Sequence, residues 1–205
     1  LRVLDSAIAV FDGVAGVEPQ SETVWRQADR YHIPRICFVN KLDRVGADFD
    51  RCVRMISEKL FARPLPVQIP IGVEDTFEGA IDLITMKALY WTDPEDRDID
   101  VRDIPEGLLA SARSSRASMI ESLSENDDLL MEKYLEGLEP SEEELKNAVR
   151  NQTIGNLLFP VFCGSALKKK GVQSVLDAIV DYLPSPKDIK PVEGHDVKDH
   201  DVILT

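Results

Sequence analysis

Residues 35–43 read Arg35-Ile36-Cys37-Phe38-Val39-Asn40-Lys41-Leu42-Asp43, an apolar run that stops abruptly in polar residues. A strand covered on both faces requires such a run, because helices shield a parallel sheet above and below. Toward the N-terminus, Ser6 to Val10 with Phe11 reads as a second buried strand and ends in Asp12-Gly13. The stretch between them offers turn residues, Pro19 for a first helical turn and the early acid Glu22. Val24, Trp25, Ala28 and Tyr31 then fall at helical spacing, and Pro34 closes the element. Phe49, Val53, Ile56, Leu60 and Phe61 mark a second helix. Strand, helix, strand, helix predicts an α/β fold with a parallel sheet and right-handed crossovers.

The same grammar returns near the far end. Leu157 to Cys163 is an apolar strand, and Gly171 precedes a helix whose expected apolar face is Val172, Val175, Leu176, Ile179, Val180 and Leu183. Pro184-Ser185-Pro186 stops it. The middle differs. Gly79 to Ile84 reads as strand or hairpin, and 105–137 as helical with a break at Ser124 to Asp128, where cap-forming residues cluster. Ser141-Glu142-Glu143-Glu144 is a capping box opening another helix. The expected division is residues 1–63 and 157–186 for the sheet and its helices, 64–156 for an inserted α+β subdomain, and 187–205 for a polar linker.

The 205 residues carry a net charge of -13, which argues against nucleic-acid binding through a uniformly basic surface. The excess is local. Asp93 to Lys146 hold 17 acids and 6 bases, and the rest of the chain is close to neutral. A solvated helix face is the ordinary meaning of such a run, but its concentration in one segment makes a basic partner worth testing. Cys37, Cys52 and Cys163 are too scattered for a disulfide framework or zinc site and read as core thiols. No apolar run is long enough to span a bilayer and no signal segment opens the sequence, so a cytoplasmic protein is expected. His195, Asp196, Asp199, His200 and Asp201 read as polar linker, and no metal site is expected.

Two motifs follow the second and third parallel strands: Asn40-Lys41-Leu42-Asp43 and Gly164-Ser165-Ala166-Leu167-Lys168. Parallel strands bring their carboxyl ends to one edge, so the motifs can share a pocket although 122 residues separate Asp43 from Ser165. Together, in this order and context, they resemble the translational GTPases. Val10 to Thr23, Cys37 to Arg44, Glu78 to Leu83, and Lys170 to Gln173 with Asp181 to Pro186 are similar to the elongation factor G family specifically. The resemblance runs through nearly the whole chain and implies a partial P-loop-GTPase-type parallel sheet with flanking helices plus an inserted α+β subdomain.

A carboxylate such as Asp43 can accept the N1–H and N2 amino protons of guanine in parallel. Adenine lacks both donors, and a site built this way discriminates by roughly 10⁴ to 10⁵. Asn40 suits fixing the loop and reaching the far edge of the base, and the apolar stem of Lys41 suits lying over the ring. The resemblance implies that the backbone N–H near Ala166 donates to the guanine carbonyl and that Ser165 and Leu167 shape the loop. Lys168-Lys169-Lys170 reads as a solvated turn.

No G-x-x-x-x-G-K-[ST] occurs, and the Asp-x-x-Gly switch is also missing. The sequence therefore reads as beginning just after the second switch of such a domain, with GTP or GDP as ligand of the intact factor and its magnesium ligands absent here. No catalytic residue is expected, and the chain alone is expected not to hydrolyse GTP. The intact factor would engage the ribosome and drive translocation. The alternative is an interaction module whose acidic insert meets the ribosomal stalk protein. Glu121, Glu125, Asp128 and Glu132 would share one face of an unbroken helix, which the expected break would split. The strand Ala7 to Phe11 is expected to expose an apolar edge that invites pairing between two copies.

Overall fold

The computed structural model describes residues 4–91 and 99–188, with the backbone of 194–195 and 203–204. Strands β1 (Ala7–Asp12), β2 (Arg35–Asn40) and β3 (Pro64–Pro66) are joined through helices α1 (Pro19–Arg30) and α2 (Phe49–Leu60). Strand β8 (Phe159–Cys163) enters between β2 and β3, giving a four-stranded parallel sheet in the order β1-β2-β8-β3. Helix α6 (Val172–Tyr182) follows β8.

The continuous apolar run of β2 is buried on both sides. Ile36 and Phe38 join one core with Phe162, Val175, Ala178 and Tyr182. Cys37 and Val39 join the other with Trp25, Cys52, Ile56 and Val161. This is the period of two expressed in a double-sided strand. All three cysteines are free and buried, and burial pushes the Cys37 thiol up to about 12.

Between β3 and β8 the chain builds a second sheet, antiparallel, from β4 (Gln68–Ile71), β5 (Gly79–Asp82), β6 (Lys87–Tyr90) and β7 (Asp100–Arg102). Helices α3 (Glu106–Ser124), α4 (Asp128–Glu136) and α5 (Glu142–Ile154) complete the span. Asp127 caps α4 by accepting from the Leu130 N–H, and Ser141 caps α5 with Glu144 reaching back. The expected helix break and capping box are both present.

Several expectations change. β3, assigned from sequence to the insert, pairs in parallel with β8, so the main sheet extends past residue 63. β1 lies at the sheet edge, as expected, but it is not buried on both faces: Ile8 is 39% and Val10 58% exposed, because the face carrying these alternate side chains lacks cover. In α1, Val24 and Tyr31 are exposed while Trp25 and Ala28 pack. Phe61 is 89% exposed in a left-handed C-cap, and Cys52 fills the core beneath α2. In α6, Leu176 and Val180 face outward; Ala178 and Tyr182 take the core positions. Each helical miss is an apolar residue about one step off the packed stripe. Of the expected linker 187–205, Gly194–His195 and Ile203–Leu204 form a short antiparallel pair, β9 and β10. The remainder beyond Asp188, including the side chains of His195, Asp196, Asp199, His200 and Asp201, expected as polar linker, lies outside the described residues. Among the described residues no helix is long and apolar enough to cross a membrane.

Candidate functional site

β2 and β8 are neighbours, with Val39 paired to Cys163, so the loops that follow them leave side by side. The Gly164 N–H donates to Val39 O at 3.0 Å, and the Leu42 N–H donates to Gly164 O at 3.1 Å. Gly164 is required by crowding: a Cβ there would lie 2.4 Å from Lys170 O and 2.8 Å from the Phe38 ring. The following loop is tied by the Ser165 N–H to Lys170 O at 2.9 Å and the Lys170 N–H to Ser165 O at 3.0 Å.

Asn40 joins the two motifs. Its Oδ1 accepts from the Lys41 N–H at 2.8 Å and from the Ala166 N–H at 2.9 Å, across 126 residues of sequence. The Ala166 N–H, which the resemblance assigns to a ligand carbonyl, is thus held by Asn40 here. Asp43 sits against the second motif as well. Its side chain is 12% exposed, the Ser165 hydroxyl donates to it, and Lys168 Nζ lies 3.3 Å from Oδ2. Burial raises the Asp43 carboxyl, but the Ser165 and Lys168 contacts outweigh it and hold the group below the usual aspartate range. Leu167 is 86% exposed on the loop.

Lys41 has a left-handed backbone, φ 63°, which costs a non-glycine residue some strain. Its ammonium pairs with Asp12 Oδ2 at 2.5 Å, while Asp12 Oδ1 accepts from the Val14 and Ala15 N–H groups. The Lys41 hydrogen bond is the main reason the Asp12 carboxyl is lowered. The Gly13 N–H donates to Asn40 O at 2.7 Å, so the turn after β1 is stitched to the same edge.

All six sequence-selected residues, Asn40, Lys41, Asp43, Ser165, Ala166 and Leu167, therefore lie on two adjoining loops at the carboxyl edge of the parallel sheet. Sequence reading missed Asp12 and Lys168. Asp12 was visible only as a strand-end acid, and Lys168 was set aside with a solvated turn; instead it meets Asp43, and Lys170 Nζ donates to Phe77 O at 2.8 Å. The acidic residues behave differently. α3 ends at Ser124 and α4 begins at Asp128, so Glu121, Glu125, Asp128 and Glu132 do not share one helix. Glu125 is paired with Arg63 at 2.5 Å. No group of His, Cys, Asp and Glu suited to a metal occurs among the described residues.

A parallel sheet whose loops meet at the carboxyl edge is the arrangement in which open α/β domains bind their ligands. Residues 1–185 match the family described as the elongation factor Tu GTP binding domain, and the chain belongs to that family. It is 56% identical over 203 residues to elongation factor G of Thermotoga maritima and equally to that of Thermotoga sp. strain RQ2. The match takes in 99% of this chain but only 29% of each relative. A crystal structure from Thermus thermophilus superposes with a TM-score of 0.80 at 29% identity, over 91% of this chain and 28% of that one.

Proposed function

We propose that this chain is the guanine-recognition part of a translational GTPase of the elongation factor G type, which drives ribosomal translocation. The observation that supports it most is the Asn40 bridge, which sets Asp43 of one motif beside Ser165 of the other. An ionised, loop-held carboxylate at a sheet edge accepts two parallel N–H donors, and guanine supplies them. Asn40, Lys41, Asp43, Ser165, Ala166 and Leu167 would surround the base. The proposal covers recognition and not hydrolysis: phosphate and magnesium positioning is most of that chemistry, and the sequence has no phosphate loop. GTP turnover above background by the chain would overturn that part.

The test exchanges donor for acceptor. Asp43→Asn replaces one accepting oxygen with an N–H₂ donor. Guanosine affinity should fall at least about tenfold, and xanthosine, which carries a carbonyl where guanine has its amino group, should gain. Unchanged guanosine preference in a nucleoside titration would reject Asp43 as the reader. For the acidic insert the same reading proposes docking of the ribosomal stalk protein, through exposed acids on two helices rather than one continuous face. Such a complex should weaken as salt is added, and an affinity indifferent to salt would reject it.

A further inference from the structure

The carboxylate assigned to the guanine edge already holds a cationic donor. Lys168 Nζ is 3.3 Å from Asp43 Oδ2. The two partners are unequal: the Asp43 side chain is 12% exposed and that of Lys168 is 50% exposed. The acid is therefore fixed in the loop wall, and the lysine approaches it from solvent. The loop carrying Lys168 is itself fixed, since its N–H donates to Ser165 O at 3.1 Å and Ala166 is tied to Asn40. What can move is the four-carbon stem of Lys168, without any backbone rearrangement.

The neighbouring cations are committed elsewhere. Lys41 Nζ is paired with Asp12, and Lys170 Nζ donates to Phe77 O and lies over the Phe77 ring. Lys168 is thus the ammonium seated on Asp43. Its ammonium engages a carboxylate oxygen that, on the guanine reading, the base edge would claim.

We propose that Lys168 is a displaceable stand-in for the guanine edge, pairing with Asp43 in the ligand-free site and yielding it to the base. This rests on the guanine reading above. It makes Lys168 a determinant of affinity that acts by competition: the pair stabilises the ligand-free form, so each binding event must first break it. With its lysine half exposed such a pair is weak, so its removal should tighten binding by about two- to fivefold rather than by orders of magnitude.

Guanosine is the suitable probe, because a neutral ligand has no charge of its own for salt to screen. The chain and its Lys168→Met variant would be titrated with guanosine, followed by amide NMR, at low and high salt. The variant should bind about two- to fivefold tighter at low salt. The unmodified chain should approach the variant's affinity as salt rises, while the variant stays flat. Equal or weaker binding by the variant, or an unmodified chain whose affinity does not rise with salt, would overturn the proposal. Failure of both proteins to bind guanosine would instead overturn the guanine reading, and the stand-in role with it. A carbon-13 titration of the Asp43 carboxyl checks the pairing without any ligand. The carboxyl should titrate higher in Lys168→Met than in the unmodified chain, and an unmoved titration would show that Lys168 does not sit on Asp43.

Discussion

Two arginine–carboxylate contacts have the same length and different surroundings. Arg35 Nη2 lies 2.5 Å from Asp29 Oδ1 beside the parallel sheet, with the arginine side chain only 2% exposed and the aspartate 48% exposed. Arg63 Nη2 lies 2.5 Å from Glu125 Oε2 where the insert meets that sheet, with both side chains about half exposed, 48% and 56%. Arg35 also donates to Trp25 O and stacks 4.1 Å from the Trp25 ring and 4.7 Å from that of Phe159. The lesson is that distance alone does not rank an ion pair. Desolvation and the groups filling the rest of the cation's environment do.

The largest effect should come from breaking the buried partner. Arg35→Met keeps much of the apolar stem but leaves Trp25 O and Asp29 without their donor. Chemical denaturation should show a loss of about 2–3 kcal/mol, from the lost hydrogen bond to Trp25 O and the two ring contacts more than from the half-exposed Asp29. A loss under about 1 kcal/mol would mean that apolar packing of the stem, which methionine retains, outweighs the pairing and ring stacking of the guanidinium.

A smaller, pH-limited effect should appear in the insert. The Lys133 ammonium first, then the Ser141 N–H, hold the Glu144 carboxyl at about 2. In the unfolded chain glutamate titrates at about 4.3. A carboxyl depressed on folding stabilises the fold above the unfolded value and loses that contribution as pH falls through the folded one. Glu144→Gln should therefore be less stable than the unmodified chain at neutral pH. The difference in denaturation midpoint should shrink from about pH 4.5 downward and be gone near about pH 2. A difference independent of pH would assign the role of Glu144 to packing instead of charge.

The contrast between the two regions also separates what the sequence made legible from what it did not. β2 and β8 were readable because a strand buried on both faces must be a continuous apolar run. Their motifs were readable because parallel topology sends both to one edge. Caps at Ser141 and Asp127 were readable from local chemistry. β3 was not: Pro64-Leu65-Pro66 is three residues, two of them prolines, and is a strand only because β8 supplies a parallel neighbour. Asp12 and Lys168 were not legible for a related reason. Their partners lie 29 and 125 residues away in sequence, and no local pattern encodes such a pairing.

The smallest effect is the sharpest test of the opening contrast. Arg63 stands just before β3 and Glu125 just after α3, so the pair bridges the parallel sheet to the acidic insert. If burial sets the strength, this bridge contributes little despite its length. A double-mutant cycle on Arg63→Ala and Glu125→Ala should give a coupling of about 0.2–1 kcal/mol. Because both ends are in solvent, the coupling should fall further as salt is raised toward about 1 M. A coupling near that of a buried pair, about 3 kcal/mol, would mean that contact geometry outranks exposure here. The Arg35 result would then need reinterpretation as a matter of length and alignment, and the two regions would no longer differ in kind.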